Sequence, residues 1–227
     1  MDYKELLKAH KKFIKSESRY FFYDGYMKNR SNCWLECDTP PEFEIKKLFA
    51  FVRSWDNRFS GDMRRFKQGY KKIHDDVKQL KHKSIHSIDF RNVETKKQIQ
   101  RIFNMVVDCG KNRPEYTDGS KIIHTILPEL FVMWDNEIRK GLRKKHKWEW
   151  HKEKPQIIEE YVVRFLPQMK QEANEVLNSY IEENRYSRKQ AINEISKKGS
   201  NYTLTKLLDE YNYVKYTLPK KKEKKDP

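Results

Sequence analysis

Apolar residues recur three or four positions apart along most of this chain, which is the spacing of amphipathic helices. Proline, glycine and small polar residues separate these segments, as at Pro40-Pro41, Ser60-Gly61 and Pro155. No alternating strand pattern is longer than four or five residues, so we predict an all-α fold. The predicted helices span about residues 3–18, 42–55, 62–80, 92–110, 155–180, 187–199 and 203–213, with two shorter ones in the stretch 118–139.

The chain has 227 residues, which is long enough for one helical body with a real core. We place that body at residues 1–218 and expect its last helices within residues 187–215. Residues 19–38 are rich in aromatic side chains and lack a regular pattern, so we predict irregular structure there. The lysine-rich segment 219–227 is predicted to be a disordered tail.

The net charge indicates a polyanionic partner. Lys and Arg number 49 against 33 Asp and Glu, a formal charge of +16, and the tail holds only five lysines against two acids. About +13 therefore belongs to the body, and we expect it to bind the phosphates of nucleic acid. An anionic membrane surface is the rival polyanion, but no apolar run approaches a membrane span. We expect a cytoplasmic monomer that does not enter the membrane.

The scarce glycines and cysteines exclude several other functions. Glycine occurs only 7 times, without the glycine-rich loops that cradle nucleotide phosphates. The 3 cysteines form no C-x-x-C pair, which argues against a disulfide frame or a thiolate zinc site. We therefore expect no metal and no cofactor.

The strongest candidate for chemistry is the stretch from Asp118 to Arg139. It is predicted to form a helix that carries Lys121, a short connector, and a second helix with Asp135 as its N-cap. The isoleucines after Lys121 form the buried stripe of the first helix, so the lysine and the aspartate can face one cleft. The plain alternative is that Asp135 only caps a helix and Lys121 is a surface lysine.

This stretch carries a family resemblance. Ser120-Lys121 is followed by two isoleucines and His124, then by Pro128, Phe131 and Trp134-Asp135. The block resembles the signature of the helix-hairpin-helix DNA glycosylase superfamily, in which an aspartate heads the helix after a lysine-bearing one. It is also similar to uncharacterised bacterial families that share the same block. The resemblance covers about residues 45–165, is specific across Gly119–Gly141, and implies the fold of that superfamily.

The resemblance implies an enzyme that excises a damaged or modified base from DNA, for repair or for defence against modified phage DNA. Asp135 would stabilise the charge that develops on the sugar when the N-glycosidic bond breaks. Lys121 could instead attack the sugar and form a Schiff base. The interval from Lys121 to Asp135 is shorter than is typical of the family, which favours the aspartate. The candidates for a pocket that receives the flipped base are Trp134, Trp55, Trp34 and His124.

The DNA backbone would bind next to these residues. A turn at residues 117–121 is predicted to offer backbone amides to a phosphate, with Gly119 and Ser120 at its centre. The predicted phosphate contacts along the strand are Arg139, Lys140, Arg143, Lys144 and Lys145. Two alternatives remain open: a non-catalytic helical module that binds nucleic acid, and an interaction protein whose lysines serve solubility.

Overall fold

A computed structural model describes residues 1–200 and 202–219 of the chain. Within these ranges the structure is all-helical, and its β-structure is limited to one antiparallel bridge between Gly61 and Gly110. The predicted all-α class is therefore confirmed. The helices are α1 Tyr3–Ser16, α2 Tyr20–Lys28, α3 Cys33–Glu36, α4 Glu42–Trp55, α5 Met63–Leu80, α6 Val93–Val107, α7 Tyr116–Ile126, α8 Asn136–His146, α9 Lys154–Glu159, α10 Leu166–Asn184, α11 Arg188–Lys198 and α12 Leu204–Asn212, with π-helical segments at Glu160–Phe165 and Tyr213–Thr217.

Side-chain caps set the start of several helices where the sequence suggests them. Asp62, Asn92 and Asp135 each accept hydrogen bonds from backbone amides in the first turn of α5, α6 and α8. Ser187 and Thr203 do the same for α11 and α12. The first amides of a helix have no partner within it, so these caps fix each boundary locally.

The aromatic segment 19–38 is helical, so the prediction of irregular structure there is wrong. It forms α2 and the short α3. The ring of Tyr26 stacks on Phe51 of α4 at 4.8 Å between centroids, and Tyr23 lies 6.3 Å from the same ring. These contacts with a distant helix stabilise a segment that has no clear amphipathic pattern of its own.

A second correction concerns the start of α7. The helix begins at Tyr116, so residues 117–121 lie in its first turns and do not form a separate turn. Gly119 donates its amide to Glu115 within the helix at 2.6 Å, and its Cα faces Val106 of α6 closely. The predicted phosphate-binding amides of Gly119 and Ser120 are therefore not presented to solvent.

The two ends of the described chain meet in the interior. The C-terminal helix α12 packs against α1 and α10, and the π-helical segment that follows it packs against α8. Gly141 allows this last contact, because a Cβ at that position would overlap the ring of Tyr216. One apolar core is contiguous from Tyr3 to Leu208. Residues 220–227, most of the predicted disordered tail, lie outside the described residues.

Candidate active site

A cleft of about 750 Å³ opens where several of these helix ends converge. One wall is formed by α7 and the head of α8, and it carries Lys121 and Asp135. A second wall is formed by α1, Arg19, α12 and the π-helical segment after α12, and it meets the first where Thr217 contacts Asp135. The end of α4 and the turn after it, residues 53–58, line the mouth. The structure thus brings the two candidate catalytic residues to one cavity.

Asp135 is held rigidly at the head of α8. Its Oδ1 accepts hydrogen bonds from the amides of Glu137 at 2.9 Å and Ile138 at 2.8 Å, and its Oδ2 accepts one from the Thr217 hydroxyl at 2.7 Å. A carboxylate has about four lone-pair sites, so roughly one remains for a group in the cleft. The flanking residues Trp134 and Ile138 are buried, which fixes the backbone on both sides.

The connector that carries Asp135 is tied to α7 by Ser120. The buried Ser120 hydroxyl accepts a hydrogen bond from the Trp134 amide at 3.1 Å and donates to the carbonyl of Thr117 at 2.7 Å. Ser120 was predicted to bind DNA, and the structure gives it this internal contact. The side chain therefore sets the distance between the lysine-bearing helix and the aspartate.

Lys121 forms a salt bridge within its own helix. Its Nζ lies 2.7 Å from Oδ1 of the buried Asp118, and the lysine side chain is only 14% exposed. Burial raises the pKa of Asp118, and the neighbouring Lys121 ammonium acts in the opposite direction. An amine that attacks a sugar carbon must first lose its proton. The ion pair therefore favours binding through the lysine charge over attack by the lysine.

The four predicted pocket residues occupy different places. Trp55 and Trp134 line the cleft, although the Trp134 ring also packs in the core against Tyr161 at 5.0 Å and Phe165 at 5.2 Å. Trp34 is 1% exposed and packs against the aromatic rings of α5, outside the lining of the cleft. Only two of the four side chains therefore meet at the cavity.

His124 also lies in the interior, outside the cleft lining. Its Nδ1 contacts the Phe131 carbonyl at 2.7 Å, so Nδ1 carries the proton, and Nε2 accepts from the Tyr23 hydroxyl at 2.8 Å. Burial lowers the pKa of His124 to about 3. This neutral imidazole joins α7 to α2 and to the connector.

The predicted DNA contacts on α8 divide into two groups. Arg139 is buried and makes a bidentate pair with Glu160, with distances of 3.1 and 2.7 Å, while Arg143 approaches the same carboxylate at 3.5 Å. These two arginines hold α8 against the π-helical segment Glu160–Phe165. The lysines of α8 that face solvent, and so can reach a phosphate, are Lys140, Lys144 and Lys145.

The second wall contains ionisable residues that the sequence patterns did not single out. Lys206 is fully buried; its Nζ lies 2.8 Å from Oδ2 of Asp209 and 3.5 Å from Oε1 of Glu210. The rings of Phe13, Tyr23 and Trp55 surround the same ammonium at 4.7, 4.9 and 5.5 Å. A lysine followed three and four residues later by two acids in a leucine-rich helix is the signal in the sequence, but it is also the pattern of an ordinary solvated face.

The charges that line the cleft nearly balance. The lining described by the structure carries Arg19, Arg53, Arg58 and Lys121 against Asp56, Asp135, Glu137 and Asp209. The body's positive excess therefore lies mainly on surfaces outside the cavity. A cleft of this kind suits a ligand that binds by its phosphates outside and by a less charged group inside.

The comparisons with known proteins give no family for this chain. No protein-family model matches it, and neither a curated protein nor a solved structure shows significant similarity. Among the described residues, no helix is long and apolar enough to span a membrane.

Proposed function

We propose that this protein excises a damaged or modified base from DNA by cleaving the N-glycosidic bond, with Asp135 as the catalytic carboxylate. The observation that carries the proposal is the fixed position of Asp135 at the head of α8, in the wall of a cleft of about 750 Å³. Cavities that bind small ligands commonly measure about 300–1,000 Å³. The space is therefore of the size that a flipped nucleotide requires.

The chemistry of base loss suits a carboxylate held in this way. Positive charge develops on the sugar as the bond to the base breaks, and a preorganised anion stabilises that charge without reorganising at the moment of reaction. The three hydrogen bonds to Asp135 hold its two oxygens in place. Its remaining lone pair can face the sugar or activate a water molecule.

The arrangement of α6, α7 and α8 supports a relationship with the helix-hairpin-helix glycosylases. The contacting helices α6 and α7 are followed by a connector and an aspartate at the head of the next helix. The turn between α6 and α7 is tight at Gly110, where a Cβ would collide with the Arg113 carbonyl. This order of elements is the one that the resemblance implies, and the relationship is part of the proposal.

Basic residues around the mouth provide for the DNA backbone. Arg53 at the end of α4 and Arg58 on the turn after it are exposed and line the cleft. Lys140 and Lys144 are exposed on α8, whose head lines the same cleft. Phosphate contacts of this kind release counterions, so binding should weaken as salt rises. Lys121, paired with Asp118, would add a positive charge next to the reacting sugar.

The test is a set of duplex and single-stranded DNAs that each carry one modified base, assayed for abasic sites by cleavage in alkali. We expect the wild-type protein to release at least one base and Asp135→Asn to lose about 10²-fold or more of that rate. Asparagine is as good an N-cap as aspartate, so the fold should persist. The base that is released would separate repair of common damage from attack on modified phage DNA.

The matched control is Glu137→Gln, which removes a carboxylate two residues further along the same helix end and should leave the rate within a factor of a few. Equal activity of Asp135→Asn and wild type would refute the assignment of Asp135. Salt-dependent DNA binding without release of any base would instead favour the non-catalytic nucleic-acid-binding module. DNA binding that does not weaken as salt rises would exclude both the base-excising enzyme and the nucleic-acid-binding module.

A further inference from the structure

A second carboxylate, Asp209 on α12, lines the same cleft as Asp135. Its side chain is 12% exposed, so it reaches the cavity from an otherwise buried helix. Its Oδ2 accepts a hydrogen bond from Lys206 at 2.8 Å. Asp135 and Asp209, two of the four acids that line the cleft, therefore have different surroundings.

The surroundings of Asp209 fix its orientation. Lys206 lies among three aromatic rings and cannot follow the carboxylate outward, because its ammonium also pairs with Glu210. Glu210 is held in turn by His10 of α1, whose Nδ1 lies 2.6 Å from Oε2. The network ties Asp209 to the helix at the opposite end of the chain, as a group positioned for catalysis requires.

We propose that Asp209 donates the proton to the departing base, while Asp135 in the same cleft stabilises the sugar. This assignment rests on the proposed base excision. As the bond between sugar and base breaks, its electron pair passes to the nitrogen of the base, and a proton from Asp209 neutralises the base. Water then adds to the sugar carbon and gives a proton to Asp135. Asp135 releases that proton to solvent and Asp209 takes one up from solvent, so both carboxyl groups return to their starting states.

The electrostatics of the site favour this division of roles. Burial raises the pKa of Asp209 to about 6; Lys206 acts against the rise, and the charges of Glu210 and Asp135 add to it. Asp135 has amide donors and a hydroxyl at its oxygens, whereas Asp209 faces a buried cation, an acid and an apolar wall. Two carboxyl groups with environments that differ in this way are typical of acid and base partners.

Other charged and titratable groups around Asp209 come from each element packed against it. Tyr213 and Arg19 line the cleft beside it, and Tyr23 of α2 and Tyr161 of the π-helical segment at 160–165 lie close enough to feel its charge. Burial raises the pKa of each of these three tyrosines, so they remain neutral through the range in which Asp209 titrates. The pH dependence can therefore be assigned to Asp209 by substitution.

The experiment compares wild type, Asp209→Asn and the control Asp75→Asn, which changes an exposed aspartate of α5 outside the cleft lining, on DNA that contains either a neutral purine such as hypoxanthine or the cationic 7-methylguanine. A cationic base leaves without receiving a proton. We expect Asp209→Asn to slow release of the neutral purine about 10²-fold or more and to change release of 7-methylguanine less than about threefold. The wild-type rate on the neutral purine should fall about tenfold for each pH unit above about 6, and Asp209→Asn should lack this dependence.

The possible failures are distinguishable. If Asp209→Asn slows release of both bases equally, or slows neither, the role of Asp209 is overturned while base excision remains in place. Release of cationic bases alone by the wild type would do the same, since no proton donor is then needed. Release of no base from any modified DNA would refute the proposed function and this assignment together. A thermal melt of each variant confirms that it is folded, and Asp209→Glu, which retains an acid, should recover part of the neutral-purine rate.

Discussion

The two walls of the cleft are built in different ways. The wall that carries Lys121 and Asp135 comes from one continuous stretch. A helix cap and Ser120 hold it locally, and Thr217 of the other wall adds one hydrogen bond to Asp135. The wall that carries Asp209 joins the first and last helices, and a buried network of charges holds it. The first wall tolerates changes that keep its caps, whereas the second depends on every charge having its partner.

The largest expected effect is on the second wall, where Lys206→Met removes the cation shared by Asp209 and Glu210. Two acids would then be buried without their partner, and we expect the free energy of unfolding to fall by about 3–5 kcal/mol. Urea denaturation measures this loss. The control Lys140→Met removes an exposed lysine paired with Glu137 and should cost about 0–1 kcal/mol. Similar losses in the two variants would show that the buried network does not hold the wall.

The next effect is a pH dependence of stability that comes from Asp209. Its pKa is raised from 3.8 to about 6 in the folded protein, so its contribution to stability is complete below pH 3.8 and is lost as the pH rises through 6. The shift corresponds to about 3 kcal/mol. We expect the stability of Asp209→Asn relative to wild type to improve by about this amount between pH 3.8 and 7, as measured by urea unfolding. A constant difference across that range would mean that Asp209 titrates normally.

The smallest of these effects concerns the cap on the first wall. Asp135→Ala removes the acceptor for two amides and for Thr217. It should lower the free energy of unfolding, followed by thermal melting, by about 1–2 kcal/mol. Asp135→Asn keeps the acceptor and should cost a few tenths of a kcal/mol. The pair separates the structural role of the residue from its proposed catalytic role. If both variants melt like the wild type, the cap is not what fixes Asp135.

Much of the first wall can be read from the sequence because its causes are local. The cap at Asp135 depends on the residues next to it, and the position of Lys121 follows from the isoleucine stripe on its own helix. The sequence nevertheless predicts that α7 begins later in the chain than it does, because Gly119 suggests a turn. In the structure Gly119 allows close packing against Val106. A glycine can indicate either a turn or a close contact between helices. Which of the two applies depends on another helix of the chain, and the residues next to the glycine do not reveal it.

The functional roles of single basic residues were harder to infer. Arg139 and Arg143 share a sequence pattern with Lys140 and Lys144, yet the arginines are buried on Glu160 and the lysines face solvent. A charged helix gives little signal of which face packs inward when its arginines have a buried carboxylate partner far along the chain. The candidates for the base pocket also end in different places: Trp34 and His124 lie in the core, and Trp55 lines the cleft. Their positions likewise depend on partners far along the chain.

The sequence by itself determined the helical class, most helix boundaries and the cap at Asp135, because apolar periodicity and capping act over a few residues. Tertiary structure alone decided that α12 would meet α1, that Lys206 would be enclosed by rings, and that Asp209 and Asp135 would line one cleft. Burial and charge pairing depend on which distant surfaces exclude water from a side chain. That exclusion is a property of the assembled helices, and no single stretch of the chain contains it.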